Sequence, residues 1–294
     1  MKNFKGTATA IVTPFLSDES IDFPALARLI EFQIDNGVEA IVACGSTGEA
    51  ATLSREEKVS VIRFAIEQAA GRIKVIAGTG SNDTRASISL TRTAKDLGAD
   101  GVLLVTPYYN KPTQNGLFEH FRAIAEQVDI PQIIYNVPGR TATNILAETQ
   151  IRIAECSTNV VATKEASANL EQMSEIIRNA PAHFSLLAGD DSLALPIIAC
   201  GGTGAIAVIS NYAPKLFGDL VRSALSGDFA HSRELLFRLL PMMQVNFVES
   251  NPIPVKYILA EMGMMQAQYR LPLTPPTEQS KAKIRLVMSE CGIG

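Results

Sequence analysis

A (β/α)8 TIM barrel of the α/β class, carrying a C-terminal helical extension, is the fold this sequence predicts. Three observations carry it. Eight short apolar runs recur at intervals of roughly 20–35 residues between residues 7 and about 225. Amphipathic helical segments with start and stop signals fill the spaces between them. The chain has 294 residues, close to the usual size of such a barrel with an extension.

The predicted strands are 7–13, 39–44, 73–77, 101–106, 131–136, 160–164, 184–188 and 204–210. Runs such as Ile73-Lys74-Val75-Ile76-Ala77 and Val102-Leu103-Leu104-Val105 are almost continuously apolar, as strands covered on both faces should be. Asp22 and Pro24 open the first helix, Leu26, Leu29, Ile30 and Ile34 form its stripe, and Gly37 closes it. Ser54-Arg55-Glu56-Glu57 reads as a capping box ahead of Val59, Ile62 and Ile66, with Gly71 at the end. Thr84 is the expected cap of the third helix, whose stripe is Ala86, Leu90, Ala94 and Leu97. The helix-Gly-x-x-strand phrase repeats in Gly37-Val38-Glu39-Ala40 and Gly98-Ala99-Asp100-Gly101, which favours one closed barrel. Beyond residue 225 no strand pattern appears, and 228–246, 252–263 and 277–291 read as helices. The expected division is therefore 1–224 for the barrel and 225–294 for the helical region, packing on the barrel or on a neighbouring subunit.

Composition narrows the function classes. Apolar residues make up 47% and charged residues 19%, the balance of a compact enzyme. The formal net charge is −4 with no long basic run, so nucleic acid and anionic membranes are poor partners. The amino-terminal stretch Met1-Lys2-Asn3-Phe4-Lys5-Gly6 lacks the architecture of a signal, and Gly and Pro break every apolar run before it reaches membrane-spanning length. A cytoplasmic protein is expected. Cys44, Cys156, Cys200 and Cys291 form no C-x-x-C, and His120, His183 and His231 are scattered, so neither a disulfide framework nor a bound metal is expected.

In such a barrel the site lies at the carboxyl ends of the strands. The sixth predicted strand ends Val160-Val161-Ala162-Thr163-Lys164-Glu165-Ala166. A lysine there points into the barrel mouth, where burial favours the neutral amine that attacks a ketone to form an imine. The structural alternative is a solvated lysine paired with Glu165. The fifth ends Tyr135-Asn136-Val137-Pro138-Gly139-Arg140-Thr141, offering a phenol to pass a proton and a guanidinium to hold a carboxylate, or else a core tyrosine and a loop salt bridge. The second ends Cys44-Gly45-Ser46-Thr47-Gly48-Glu49-Ala50, a turn whose N–H groups could bind a carboxylate and whose hydroxyls could relay protons. The fourth ends Thr106-Pro107-Tyr108-Tyr109-Asn110-Lys111-Pro112. Gly201-Gly202-Thr203-Gly204 reads either as an anion cradle or as a close backbone approach. Lysine, tyrosines, hydroxyls and arginine all fall at strand carboxyl ends, a set suited to imine formation with a keto acid and to a second anionic substrate.

These motifs, together with Gly189-Asp190-Asp191 and Asn251-Pro252-Ile253-Pro254-Val255-Lys256, resemble the dihydrodipicolinate synthase family of the pyruvate-dependent class I aldolase and lyase superfamily, from about Gly6 to the end of the chain. The Tyr135–Thr141 run is the part more specific to the synthase. The resemblance implies a Schiff-base lyase that condenses pyruvate with L-aspartate 4-semialdehyde to 4-hydroxy-tetrahydrodipicolinate, in the diaminopimelate route to lysine. It implies that Lys164 forms the Schiff base and that Tyr135 shuttles protons. Thr47 then links Tyr135 to Tyr109, which reaches in from the adjacent subunit. It further implies that Ser46 and Thr47 N–H groups hold the pyruvate carboxylate, that Arg140 binds the semialdehyde carboxylate, and that Gly189 and Ile206 line the pocket. It implies a homotetramer of tight dimers, and no cofactor or metal.

Ser46 stands where the synthase usually has a second threonine, and serine is also common there in the sialic-acid lyase branch. Ala162-Thr163 replaces the more usual Gly-Ile, read as packing. Ala50, Arg55, Lys58 and Ala86 occupy positions where lysine-regulated relatives often carry serine, histidine, histidine and glutamate, while Asn82 and Tyr108 match. Weak or absent inhibition by lysine is the expectation. N-acetylneuraminate lyase or a 2-keto-3-deoxy sugar-acid aldolase is the main alternative, disfavoured by Arg140 in its Gly-Arg-Thr setting. A non-catalytic small-molecule sensor is disfavoured because every candidate catalytic group is present. A phosphate-handling barrel isomerase rests on Gly201–Gly204 alone.

Overall fold

The computed structural model describes residues 4–294; Met1, Lys2 and Asn3, at the head of the stretch read as lacking a signal, lie outside the described residues. Within them, eight parallel strands close one barrel in sequence order. They are β1 (Gly6–Ala10), β2 (Ala40–Ala43), β3 (Lys74–Gly78), β4 (Gly101–Val105), β5 (Gln132–Asn136), β6 (Val160–Glu165), β7 (Ser185–Ala188) and β8 (Gly204–Ala207). Helices α1 (Phe23–Asp35), α2 (Arg55–Ala69), α3 (Thr84–Asp96) and α4 (Gln114–Gln127) follow the first four strands. The short α5 (Pro138–Thr141) and α6 (Ala147–Cys156) follow β5; α7 (Leu170–Asn179), α8 (Ala194–Ala199) and α9 (Pro214–Leu225) follow the last three. The chain ends in α10 (Phe229–Val245), α11 (Ile253–Glu261) and α12 (Glu278–Cys291). No helix among the described residues is long and apolar enough to cross a membrane.

All eight expected strands are present, with most bounds within a residue of those expected, but two end three residues early. β1 ends at Ala10 because the Asn211 side chain takes over, donating to Ala10 O and accepting from Val12 N. β8 ends at Ala207 because the Asp191 carboxylate captures the N–H groups of Val208 and Ile209, and a 3-10 turn follows. The Ser54 capping box forms, with Ser54 Oγ accepting from Glu57 N and the Glu57 side chain accepting from Ser54 N. Asp83, not Thr84, caps α3: its carboxylate accepts from Arg85 N, while the Thr84 hydroxyl is engaged with His120 Nδ1. Leu90 and Ala94 of the expected stripe are buried, but Ala86 is exposed; Ser87, Ile88 and Thr91 are buried beside them, because the short hydroxyls fit between α3 and the end of β3, where Thr79 meets Thr91.

Strand alternation sorts the core into two parts. Ala8, Ala10, Ala40, Val42, Ile76, Leu103, Ile133, Tyr135, Leu187 and Ile206 fill the barrel interior. Ile41, Val75, Leu104, Ile134 and Leu186 face outward into the larger layer under the helices. The Gly201–Gly204 run closes the barrel instead of cradling an anion: a Cβ on Gly204 would fall 2.0 Å from Gly6 O on the neighbouring strand, at the amino end and away from the candidate site. Its φ of 153° is a second reason for glycine there. The C-terminal helices continue this packing, α10 lying on α9 and α12, and the Tyr212 hydroxyl donating to Asn246 Oδ1 between them.

Candidate active site

Lys164 and Tyr135 are register partners on β6 and β5, both facing the barrel interior near its carboxyl end. Lys164 is 4% exposed and its Nζ lies 4.3 Å from the Tyr135 ring centroid. Lys164 does not pair with Glu165. Successive strand residues face opposite ways, and the Glu165 carboxylate is buried on the outer face among amide donors. Ala162 packs inside and Thr163 outside, both fully buried, consistent with a packing role.

The turn after β2 brings in the hydroxyls. Cys44 and Glu49 both take positive φ, which curls the chain tightly through Gly45, Ser46, Thr47 and Gly48. Thr13 Oγ1 donates to Gly48 O and pins the turn to the segment after β1. Among the described residues no acceptor meets the backbone N–H of Ser46 or Thr47. Thr47 is buried, and its hydroxyl accepts from Asn251 Nδ2 at 3.0 Å. Asn251 also fixes Arg140 on α5, whose Nη2 donates to Asn251 O at 3.2 Å.

A cavity of about 540 Å3 opens over this arrangement, lined by Ser46, Tyr108, Tyr135, Arg140 and Asn251 among others. Lys164 does not line it; its amine sits against the Tyr135 ring that does. Gly189 closes the neighbouring strand end. Its N–H donates to Glu165 O at 2.7 Å, and a Cβ there would lie 2.6 Å from that of Ala166. Ile206 is fully buried in the barrel interior. Tyr109 stands apart, 89% exposed at φ 75°.

Two acidic groups near the lysine sit in poor solvent. Burial pushes the Asp191 carboxyl up to about 6, opposed by its hydrogen bonds from Ile209 and Val208 N–H and by the Lys164 charge. Burial also raises Asp190, again opposed by Lys164. Sequence reasoning gave neither a role, nor one to Asn251 or to the buried Glu49–Lys256 ion pair that locks the end of the hydroxyl turn. Glu49 and Lys256 are 207 residues apart. The one available signal was Lys256 itself, the single charged residue in the run 253–260.

Residues 3–291 match the Dihydrodipicolinate synthetase family. The chain is 48% identical to the 4-hydroxy-tetrahydrodipicolinate synthase of Aquifex aeolicus, over 98% of this chain and 97% of that one. It is 50% identical to the enzyme of the same name from Chlorobium chlorochromatii, over 94% and 93%. The crystal structure of the Aquifex aeolicus dihydrodipicolinate synthase superposes with a TM-score of 0.97, covering 99% of both chains. The barrel, the strand-end motifs and identity of about one half along nearly the whole length agree, and the chain belongs to the dihydrodipicolinate synthetase family.

Proposed function

We propose that this protein condenses pyruvate with L-aspartate 4-semialdehyde to give 4-hydroxy-tetrahydrodipicolinate, as a Schiff-base lyase. The observation that carries the mechanism is the buried Lys164 amine against the Tyr135 ring, which lines a cavity that also presents Arg140. The amine attacks the pyruvate ketone, water leaves, and an imine forms. Loss of a methyl proton gives the enamine, which adds to the aldehyde carbon. The semialdehyde amine then closes onto the former ketone carbon and expels Lys164.

Tyr135 carries protons through these steps. Thr47 extends the relay to a neighbour's Tyr109, a role that suits a tyrosine standing out from its own chain. Ser46 and Thr47 N–H groups hold the pyruvate carboxylate, and Arg140 holds that of the semialdehyde. Gly189 and Ile206 bound the pocket. The protein acts as a homotetramer in the cytoplasm, with residues 1–224 as the barrel and 225–294 as its helical region. The test is a coupled assay with pyruvate and the semialdehyde, following NADPH loss at the downstream reductase. No loss, with pyruvate still trapped on Lys164 by borohydride, would move the acceptor to a sugar aldehyde.

Tyr135→Phe keeps the ring against Lys164 and removes the proton carrier. Its kcat should fall by about 10²–10³-fold, with the circular-dichroism spectrum unchanged; a fall of less than about threefold would take the phenol out of the proton path.

Lysine inhibition should be weak. Ala50 and Lys58 line the same cavity, Arg55 donates to the Ser89 and Thr93 hydroxyls, and Ala86 offers no carboxylate. A cationic ligand meets added positive charge and no acid from these positions. The assay repeated across lysine concentrations should show little loss at sub-millimolar lysine; half-inhibition in that range would overturn the reading.

A further inference from the structure

Glu165 follows Lys164 on β6 and is fully buried on the opposite face of the strand. No Lys or Arg among the described residues forms an ion pair with it. Its carboxylate instead accepts four N–H donors: Asn136 Nδ2 at 2.8 Å, Gln150 Nε2 at 2.9 Å, Ser167 N at 3.1 Å and Gln172 Nε2 at 3.2 Å. These come from the end of β5, from α6, from the loop after β6 and from α7. Burial raises the Glu165 carboxyl above its usual range, and the same hydrogen bonds oppose that shift. A carboxylate is the side chain that can accept from all four without turning a donor toward any of them. A glutamine would aim its NH2 at one or more, and an alanine would take an acceptor away from all four, three of these bonds being buried.

A buried carboxylate without a cation is costly, so its use is to be sought in what it holds. Asn136 is the link. Its Nδ2 also donates to Asn144 Oδ1 at 2.7 Å, and its Oδ1 accepts from Ile145 N at 3.2 Å. Segment 137–145, which carries Arg140, is thereby closed back onto Asn136, one residue after Tyr135. Gln172 reinforces the closure, accepting from Asn144 Nδ2 and donating to Ile145 O. The Lys164 amine lies on the other face of the strand. The backbone bond from Gly189 N to Glu165 O, just past the end of β7, does not involve the Glu165 side chain.

We propose that Glu165 is a positioning residue for the second half-reaction: through Asn136 it sets the Arg140 loop for the semialdehyde, and it takes no part in capturing pyruvate. The proposal rests on the Schiff-base reading above. Its test separates the two halves in Glu165→Gln. Borohydride trapping of pyruvate on Lys164, followed by mass spectrometry, reads the first half; the coupled assay across semialdehyde concentrations reads the second. Trapping should stay within about threefold of the parent, while kcat/KM for the semialdehyde falls by at least about 30-fold. Equal losses in both halves, or no loss in either, would overturn the proposal, since a merely structural role lowers both together. Should Glu165→Gln not fold, Gln172→Met removes one donor at the edge of the network. It should show the same split in smaller size, and equal losses there also overturn it. A parent protein that fails to trap pyruvate removes the Schiff-base reading, and the proposal with it.

Discussion

Lys164→Ala should fold as the parent does and lose at least about 10⁴-fold in turnover of pyruvate and semialdehyde. The size follows from the chemistry. The proposed route has a covalent intermediate in every step after the first, and among the described residues Lys164 is the amine that meets the Tyr135 ring in the barrel interior. Structure should survive, because the residue makes no ion pair among the described residues and its main-chain bonds on β6 do not depend on its side chain. Losing the contact between ammonium and ring costs about 1 kcal/mol. Lys164→Arg sharpens the test: it keeps a cation near Tyr135 but cannot form a productive imine. Both variants should also fail to incorporate pyruvate on borohydride reduction. Turnover retained within tenfold in either would remove the covalent mechanism, whatever the family resemblance.

The barrel was legible because its signals are local. Each strand is a run of apolar residues bounded by caps or glycines, and period-2 alternation assigns its faces. The limits of β1 and β8 were not legible, because distant side chains set them: Asn211 ends the first and Asp191 the last. The same division runs through the site. Lys164, Tyr135, Thr47 and Arg140 could be read from strand ends, since the fold itself brings those ends together. The pairing of Lys164 with Glu165 was the wrong structural alternative, and strand alternation alone excludes it. Asn251 was visible only as part of a motif. Its two bonds, to the Thr47 hydroxyl and the Arg140 guanidinium, depend on how the segment before α11 lies over the barrel mouth, which no local pattern encodes.

Lys256→Met should destabilise the fold strongly. Lys256 on α11 is fully buried, its Nζ donates to Glu49 Oε1, and it also lies 4.3 Å from the Phe15 ring centroid. Burial alone would push its pKa down, and the Glu49 carboxylate opposes that. Methionine fills the volume but leaves the Glu49 carboxylate buried without a cation, and its Oε2 already lacks a hydrogen-bond partner among the described residues. Breaking a buried pair from one side costs about 3–5 kcal/mol, which corresponds to a fall in Tm of roughly 5–8 °C for a chain of this size. Removing both charges together, in Lys256→Met with Glu49→Gln, leaves no stranded anion and should recover at least about half of that loss. Calorimetry on the parent, both singles and the double reads the cycle. A double variant as unstable as the sum of the singles would show that the two groups act independently. Activity should fall in Lys256→Met even below its melting range. Glu49 closes the turn that presents Ser46 and Thr47, and a carboxylate seeking water would pull that turn away from Tyr135.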